Sequence, residues 1–266
     1  PAYFGARRGA VKIVAYRNTD EFTKKVEAHS FRATKEECLD LPPKIYLERI
    51  VQLTDEQKAL YKQMKDELFV QVDSGIVSAP NAVAKLMRLQ QITCGHLPNE
   101  EGKIVRIKNN RMAEVLGWLE QVRGKFVIWA RFIEDINILT EGLAKAGYRV
   151  ARYDGMVPRA DRLAGEEWFK HGDADGMVAN AAATARGKNW QMASYVGYYS
   201  NSFNADHRWQ SEDRTHRDGM GDDPCVYTEF ISPGTVDRYI LSNLKDKKNI
   251  ADAVLDKRSL LEALAA

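Results

Sequence analysis

Lys125-Phe126-Val127-Ile128-Trp129-Ala130-Arg131-Phe132 is a short segment whose middle, Phe126 through Trp129, is apolar without a break. Such a run suits a strand buried on both faces, because a half-exposed strand would alternate apolar and polar residues. The chain then repeats the theme. Residues 149–153, 176–179, 194–199 and 226–231 read as further strands, and residues 132–146, 158–170 and 208–217 between them read as helices. Short apolar strands alternating with helices predict an α/β fold with a parallel sheet flanked by helices. Ligands of such sheets collect at the loops beyond the carboxyl ends of the strands. Here those loops are Ala130-Arg131, Asp154-Gly155, residues 181–189 and residues 200–204.

Upstream the rhythm is different. Residues 54–122 read as a helical subdomain: Thr54-Asp55-Glu56-Gln57 resembles a capping box ahead of Leu60, Tyr61, Met64 and Leu68. Further helices are expected at 81–93 and 111–122, with Gly95, Pro98 and Gly102 breaking the pattern between them. Residues 1–53 read as loop and short pieces, with a helix near 20–28, the helix-incompatible Pro42-Pro43, and an alternating segment at 45–53. Residues 235–266 read as one or two closing helices.

Composition restricts the function classes. A net charge of +2 over 266 residues means that nucleic-acid binding would rely on a local basic surface. Cys38, Cys94 and Cys225 are far apart without CxxC pairing, which predicts reduced thiols rather than a disulfide or zinc framework. No metal-ligand spacing links His29, His96, His171, His207 and His216, so no metal site is expected; they read as surface or packing residues. The five tryptophans read as core or interface aromatics. No run approaches the length of a membrane helix, no signal peptide opens the chain, and the absence of an initial methionine suggests a processed or truncated polypeptide.

Two segments carry candidate chemistry. In Gln210-Ser211-Glu212-Asp213-Arg214-Thr215-His216-Arg217-Asp218-Gly219-Met220, a continuous helix would put Gln210, Asp213, Arg214 and Arg217 on one face. Paired arginines there suit an anion with several oxygens, since guanidinium groups donate forked hydrogen bonds and stay charged. In Ala183-Thr184-Ala185-Arg186-Gly187-Lys188-Asn189, small residues allow close backbone approach while Thr184, Arg186, Lys188 and Asn189 add donors.

The order KFVIWARF, Tyr153-Asp154-Gly155 with Arg162 following, ATARGKN, YSNSFN and QSEDRTHRDGM resembles the second RecA-like lobe of the Swi/Snf family of helicase-like, DNA-dependent ATPases in superfamily two. Upstream, Leu41-Pro42-Pro43-Lys44, Tyr61 and Arg88-Leu89-Gln90-Gln91-Ile92 with His96 are similar to that family's inter-lobe junction and the helix before the second lobe. The resemblance implies a remnant of the first lobe and linker at 1–53, a helical subdomain at 54–122, a RecA-like helicase C-terminal lobe at 123–234 and brace helices at 235–266. It implies that Arg214 and Arg217 are arginine fingers reaching ATP held by the first lobe, with Gln210 ordering their helix and Gly187 and Asp213 on the nucleotide side. It places Arg131, Asp154, Gly155, Thr184, Arg186, Lys188 and Asn189 near the DNA backbone. The implied cofactors are ATP and Mg²⁺, held mainly by the first lobe. The implied partners are double-stranded DNA and the N-terminal RecA-like lobe, with no membrane and a monomeric state.

The sequence departs from the family where ATARGKN replaces a glycine-rich loop and where Phe203-Asn204-Ala205 replaces Trp-Asn-Pro. These changes mark a divergent branch, cytoplasmic in a bacterium or virus-infected host and nuclear in a eukaryote. No G-x-x-x-x-G-K-[ST] occurs in the chain, which therefore should not hydrolyse ATP alone. The expected activity is that of a double-stranded DNA translocase or remodeller. The alternatives are a strand-separating or annealing helicase lobe and a non-catalytic module that binds DNA or a partner.

Overall fold

The structure is a computed structural model that describes residues 2–7, 10–27, 29–30, 38–73, 79–184 and 188–245. The chain divides into two units, Pro1–Asp40 and Leu41–Ala266. In the first, β1 (Ala2–Arg7) and β2 (Ala10–Tyr16) form an antiparallel hairpin where the sequence predicts only short pieces. A helix, α1 (Thr19–Glu27), follows at the place expected, with Asp20 and Glu21 at its electropositive start and Lys24 and Lys25 at its end. None of its residues is buried.

The second unit opens with β3 (Lys44–Ile50). Next come α2 (Asp55–Asp73) and α3 (Ala79–Cys94). The capping box forms as the sequence predicts: Gln57 N–H donates to Thr54 Oγ1 at 3.3 Å and Thr54 N–H donates to Gln57 Oε1 at 3.1 Å. Gly95 stops α3 with φ +87, and a Cβ there would collide with the Asn109 side chain, so the left-handed turn requires glycine. A small hairpin follows, β4 (His96–Pro98) with β5 (Ile104–Arg106), where the sequence suggests only an interruption. After it comes α4 (Arg111–Leu119), ending three residues earlier than its apolar period predicts.

The remaining elements are β6 (Lys125–Trp129), α5 (Ile133–Lys145), β7 (Val150–Tyr153), α6 (Arg159–His171), β8 (Gly176–Ala179), β9 (Ala193–Tyr198), α7 (Ala205–Thr215), β10 (Cys225–Ile231) and α8 (Val236–Lys245). The expected parallel sheet has the order β3-β10-β9-β6-β8-β7, and each neighbouring pair is parallel. Five strands match the sequence reading; the sixth, β3, comes from the segment assigned to the linker. It pairs with β10 from Lys44 through Ile50.

Strand alternation divides the core. Phe126 and Ile128 of β6 join Val115 and Trp118 of α4 and Ile136, Leu139 and Leu143 of α5. Val127 and Trp129 face the other way, toward Tyr153, Phe169 of α6 and Trp190. A third cluster joins Tyr61, Leu86, Leu89 and Ile92 of the α2–α3 pair to Phe203 and to Val236, Ile240 and Leu244 of α8. Of the tryptophans, Trp118, Trp129 and Trp190 are buried as expected, whereas Trp168 and Trp209 are exposed. All three cysteines are free.

Candidate functional site

Because the strands are parallel, their loops emerge along one edge. Asn180, just beyond β8, ties two of these loops together. Its Oδ1 accepts from the Ala182 and Ala183 N–H groups, and its Nδ2 donates to the Ala130 and Arg131 carbonyls. Ser200, beyond β9, supports the same point. Its hydroxyl accepts from Arg131 N–H at 2.8 Å and donates to Asp135 Oδ2 at 2.5 Å. The other Asp135 oxygen meets His96 Nε2 at 2.8 Å, and both side chains are fully buried. The sequence reading of His96 as a packing residue does not disclose this relay, whose members lie far apart in the chain.

Arg131 thus has a fixed backbone, and its guanidinium lies 3.8 Å from the centroid of the Phe203 ring and donates to Gln90 Oε1 at 3.2 Å. Burial pulls its pKa down to about 10, so it remains charged at neutral pH. With Trp129, Asn180, Asn201, His207, Arg208 and Ser211 it lines a cavity of about 270 Å³.

The helix α7 begins at Asn204, whose side chain accepts from Asp206 N–H. It ends at Thr215, so the expected continuation to Arg217 is corrected: Arg217 lies beyond the helix, and Gly219 turns the chain with φ +85 toward β10. The arginine in the ion-pair network is Arg208, which sequence reasoning missed. It pairs with Glu212 at 2.8 Å and with Glu229, and lies 3.5 Å from the Tyr198 ring centroid. Its i, i+4 spacing to Glu212 was the available signal.

Arg214 differs. It is 5% exposed, and its Nε has no hydrogen-bond partner. Among the described residues no carboxylate forms an ion pair with it. Burial lowers its pKa from the ordinary arginine value, and neighbouring Arg217 adds to the effect against the opposing charge of Asp213. The loop after β8 and the end of α7 are joined through backbone: Trp190 N–H donates to the Arg214 carbonyl at 2.8 Å, and Arg217 donates to the Lys188 carbonyl at 3.4 Å. The loop after β8 and the end of α7 are therefore in contact.

The other candidates separate into groups. Gly155, Asn189 and Asp213 are exposed, and Gln210, Arg217 and Lys188 are half-buried. Lys188 pairs with the buried Glu166. Asp154, expected to face DNA, is fully buried with both oxygens committed, to Arg152 Nε at 2.5 Å and to Met156 N–H at 2.7 Å. It holds the turn rather than a ligand. Thr184 is likewise buried and donates to the Asn180 carbonyl at 2.8 Å. Arg186 and Gly187 lie outside the described residues.

The sequence and the fold are similar to those of known proteins. Residues 107–219 match the helicase conserved C-terminal domain. The DNA repair protein RAD5 of Cryptococcus neoformans is 27% identical over 161 residues, covering 58% of this chain and 13% of that protein. Protein CHROMATIN REMODELING 5 of Arabidopsis thaliana is 25% identical over 253 residues, covering 85% of this chain and 14% of its own length. The chain thus spans about a seventh or less of these relatives. In fold it is similar to the Sulfolobus solfataricus SWI2/SNF2 ATPase core solved in complex with dsDNA, with TM-score 0.66, 22% identity, 92% of this chain and 55% of that one covered. The chain thus carries a helicase conserved C-terminal domain on a RecA-like parallel sheet, and the proteins it is similar to include Swi2/Snf2-family ATPases.

Proposed function

We propose that this chain is the C-terminal half of an ATP-dependent double-stranded DNA translocase or remodeller. The observation that carries the reading is Arg214, a buried guanidinium without a carboxylate, on the helix end tied to the loop after β8. An uncompensated buried cation is costly, and an anion delivered from outside would relieve it. In the proposal that anion is the polyphosphate of Mg²⁺-ATP gripped by a separate N-terminal RecA-like lobe, since this sequence contains no Walker lysine motif. The orphaned Nε fits such an acceptor.

Arg214 and Arg217 would then stabilise charge developing on the transferred phosphoryl group, a contribution of about 10³–10⁵ in rate for an inserted arginine. Gln210 would order their helix, and Asp213 with Gly187 would sit on the nucleotide side. Arg131, Gly155, Arg186, Lys188 and Asn189 would face the DNA backbone, with Asp154 and Thr184 shaping the loops that carry them. Backbone contacts hold no base information, which suits travel along any sequence.

The test is DNA-stimulated ATP hydrolysis by a polypeptide containing both lobes. Arg214→Ala and Arg217→Ala should each reduce kcat by about 10³ or more with a small change in KM for ATP. Turnover unaffected by both substitutions would overturn the finger assignment, and an unaltered protein without any DNA-stimulated turnover would favour a non-catalytic module.

A further inference from the structure

Arg131 is held from the α3–β4 segment by two separate routes, and in neither does a carboxylate pair with its guanidinium. The first route reaches the side chain. Gln90 of α3 is 1% exposed; its Oε1 accepts from Arg131 Nη1 at 3.2 Å, and its Nε2 donates to the Asn201 carbonyl at 2.9 Å. A carbonyl oxygen only accepts, so the amide has a single orientation there and must turn its oxygen to the guanidinium. The rings of Phe203, 3.8 Å away, and Phe132, 5.3 Å away, bound the same group.

The second route reaches the backbone. His96 follows α3 directly after Gly95, and its ring packs edge-on against Phe132 at 5.4 Å. Its Nε2 meets Asp135 Oδ1, Asp135 Oδ2 accepts from the Ser200 hydroxyl, and Ser200 Oγ accepts from Arg131 N–H. Asn180 Nδ2 donates to the carbonyl of the same residue at 2.6 Å. Both polar groups of the Arg131 backbone are therefore committed, and Gln90 sets the direction of the side chain.

Other arginines of this unit are fixed by acids. Arg208 pairs with Glu212 and Glu229, Arg152 with Asp154, and Arg111 with Asp237. An ion pair orients a guanidinium but satisfies its charge. An amide and two aromatic faces orient it and leave the charge available to an acceptor from outside. Among the described residues no carboxylate forms an ion pair with Arg131.

We infer that Gln90, with Asp135 behind the backbone, is a positioning residue that aims the Arg131 guanidinium at the DNA backbone without neutralising it. This role rests on the reading of Arg131 as a DNA contact, and it adds that the helical layer, together with the sheet, decides where that charge sits.

The experiment titrates the whole chain with a short duplex DNA at several salt concentrations, near-UV circular dichroism confirming the fold of each variant. Arg131→Gln removes one cationic contact and should lower the slope of log affinity against log salt by about 1. Gln90→Met changes no charge, so a merely structural role would leave the slope where it was. Positioning predicts a slope lowered by about 1 and binding weakened by about 10-fold. In the Arg131→Gln background, Gln90→Met should add no further loss, because both substitutions act through one contact. Asp135→Asn supplies a test of sign, and carries the test alone if Gln90→Met does not fold. Removal of an acid should tighten DNA binding by charge alone, whereas displacement of Arg131 should weaken it. An unaltered slope in folded Gln90→Met, additive losses in the double variant, or tighter binding by Asp135→Asn overturns the inference, as does an unaltered chain that binds no duplex. A lowered slope in a protein whose two-lobed form lacks DNA-stimulated turnover would leave the positioning role standing and remove the motor reading alone.

Discussion

Arg111 and Arg214 are both buried arginines, yet their surroundings predict opposite effects of substitution. Arg111 donates to the carbonyls of Thr93, Tyr199 and Phe230, to Ser232 Oγ and to Asp237 Oδ2 at 2.5 Å. It links the start of α4 to the ends of β9 and β10 and to the first turn of α8. Replacing it with methionine leaves the buried Asp237 carboxylate without its counter-charge and takes a donor from three carbonyls, and should cost about 3–5 kcal/mol. Arg214 has no such set of partners, so Arg214→Met should leave the stability of the chain unchanged within ~1 kcal/mol or raise it. Denaturant midpoints of the two variants against the unaltered chain check both expectations. Equal losses would mean that Arg214 is a structural residue. Neither role was legible in the sequence: Arg111 and Asp237 are separated by most of the sheet, and burial of Arg214 depends on packing that helical periodicity does not encode. The sequence singled out Arg214, Arg217 and Lys188 by motif order but assigned the arginines to the nucleotide and the lysine to DNA, and nothing in it showed that Arg217 reaches the Lys188 carbonyl.

At the scale of elements, the notable pairing is between β3 and α7. Lys44 Nζ and Tyr46 Oη each lie 2.9 Å from Glu212 Oε2, and His216 Nε2 donates to the Pro42 carbonyl at 2.8 Å. Glu212 and His216 flank Arg214, so the segment entering the sheet is fastened to the turn that holds the candidate fingers. Burial pushes the Glu212 pKa up, but Arg208 and Lys44 outweigh it and hold the carboxyl below its ordinary 4.5. A depressed carboxyl stabilises the fold above its unfolded pKa, and that stability disappears as pH falls through the folded value. Glu212→Gln should therefore cost about 3 kcal/mol at pH 7, with the difference from the unaltered chain shrinking below pH 4.5. Urea midpoints measured across that range test the sign; a difference that grows toward acid would refute it. Sequence periodicity gave the strands and helices of residues 125–231 nearly in full, because continuous apolar strands and amphipathic helices differ sharply in pattern. It underestimated β3, whose Ile45, Tyr46 and Leu47 remain exposed at the sheet edge and so lack the apolar continuity of an inner strand. It also ran α7 past Thr215, since nothing in Thr-His-Arg marks a stop.

For the unit from Leu41 onward, the question is whether the α2–α3 pair and the sheet unfold together. The sequence separates them at residue 122, but several contacts cross that line. Phe203, from the loop after β9, packs among Leu86, Leu89 and Ile240, while Arg131 lies against its ring. Gln90 Nε2 donates to the Asn201 carbonyl, and Val236 N–H donates to Tyr61 Oη at 2.7 Å. The β3 strand precedes the helical segment in the chain but belongs to the sheet, so separating the two layers requires both connections to open. Chains of this size often unfold through intermediates, which makes a single transition informative. All five tryptophans lie outside α2 and α3, so fluorescence follows the sheet and its covering helices, whereas far-UV circular dichroism also registers the α2–α3 pair. The two signals should trace one denaturation curve. Phe203→Ala, expected to cost about 3–5 kcal/mol, should move both midpoints equally. If it lowered the dichroism midpoint and left the fluorescence midpoint in place, the helical layer would be a separate folding unit, and Phe203 would belong to that layer alone rather than joining it to the sheet.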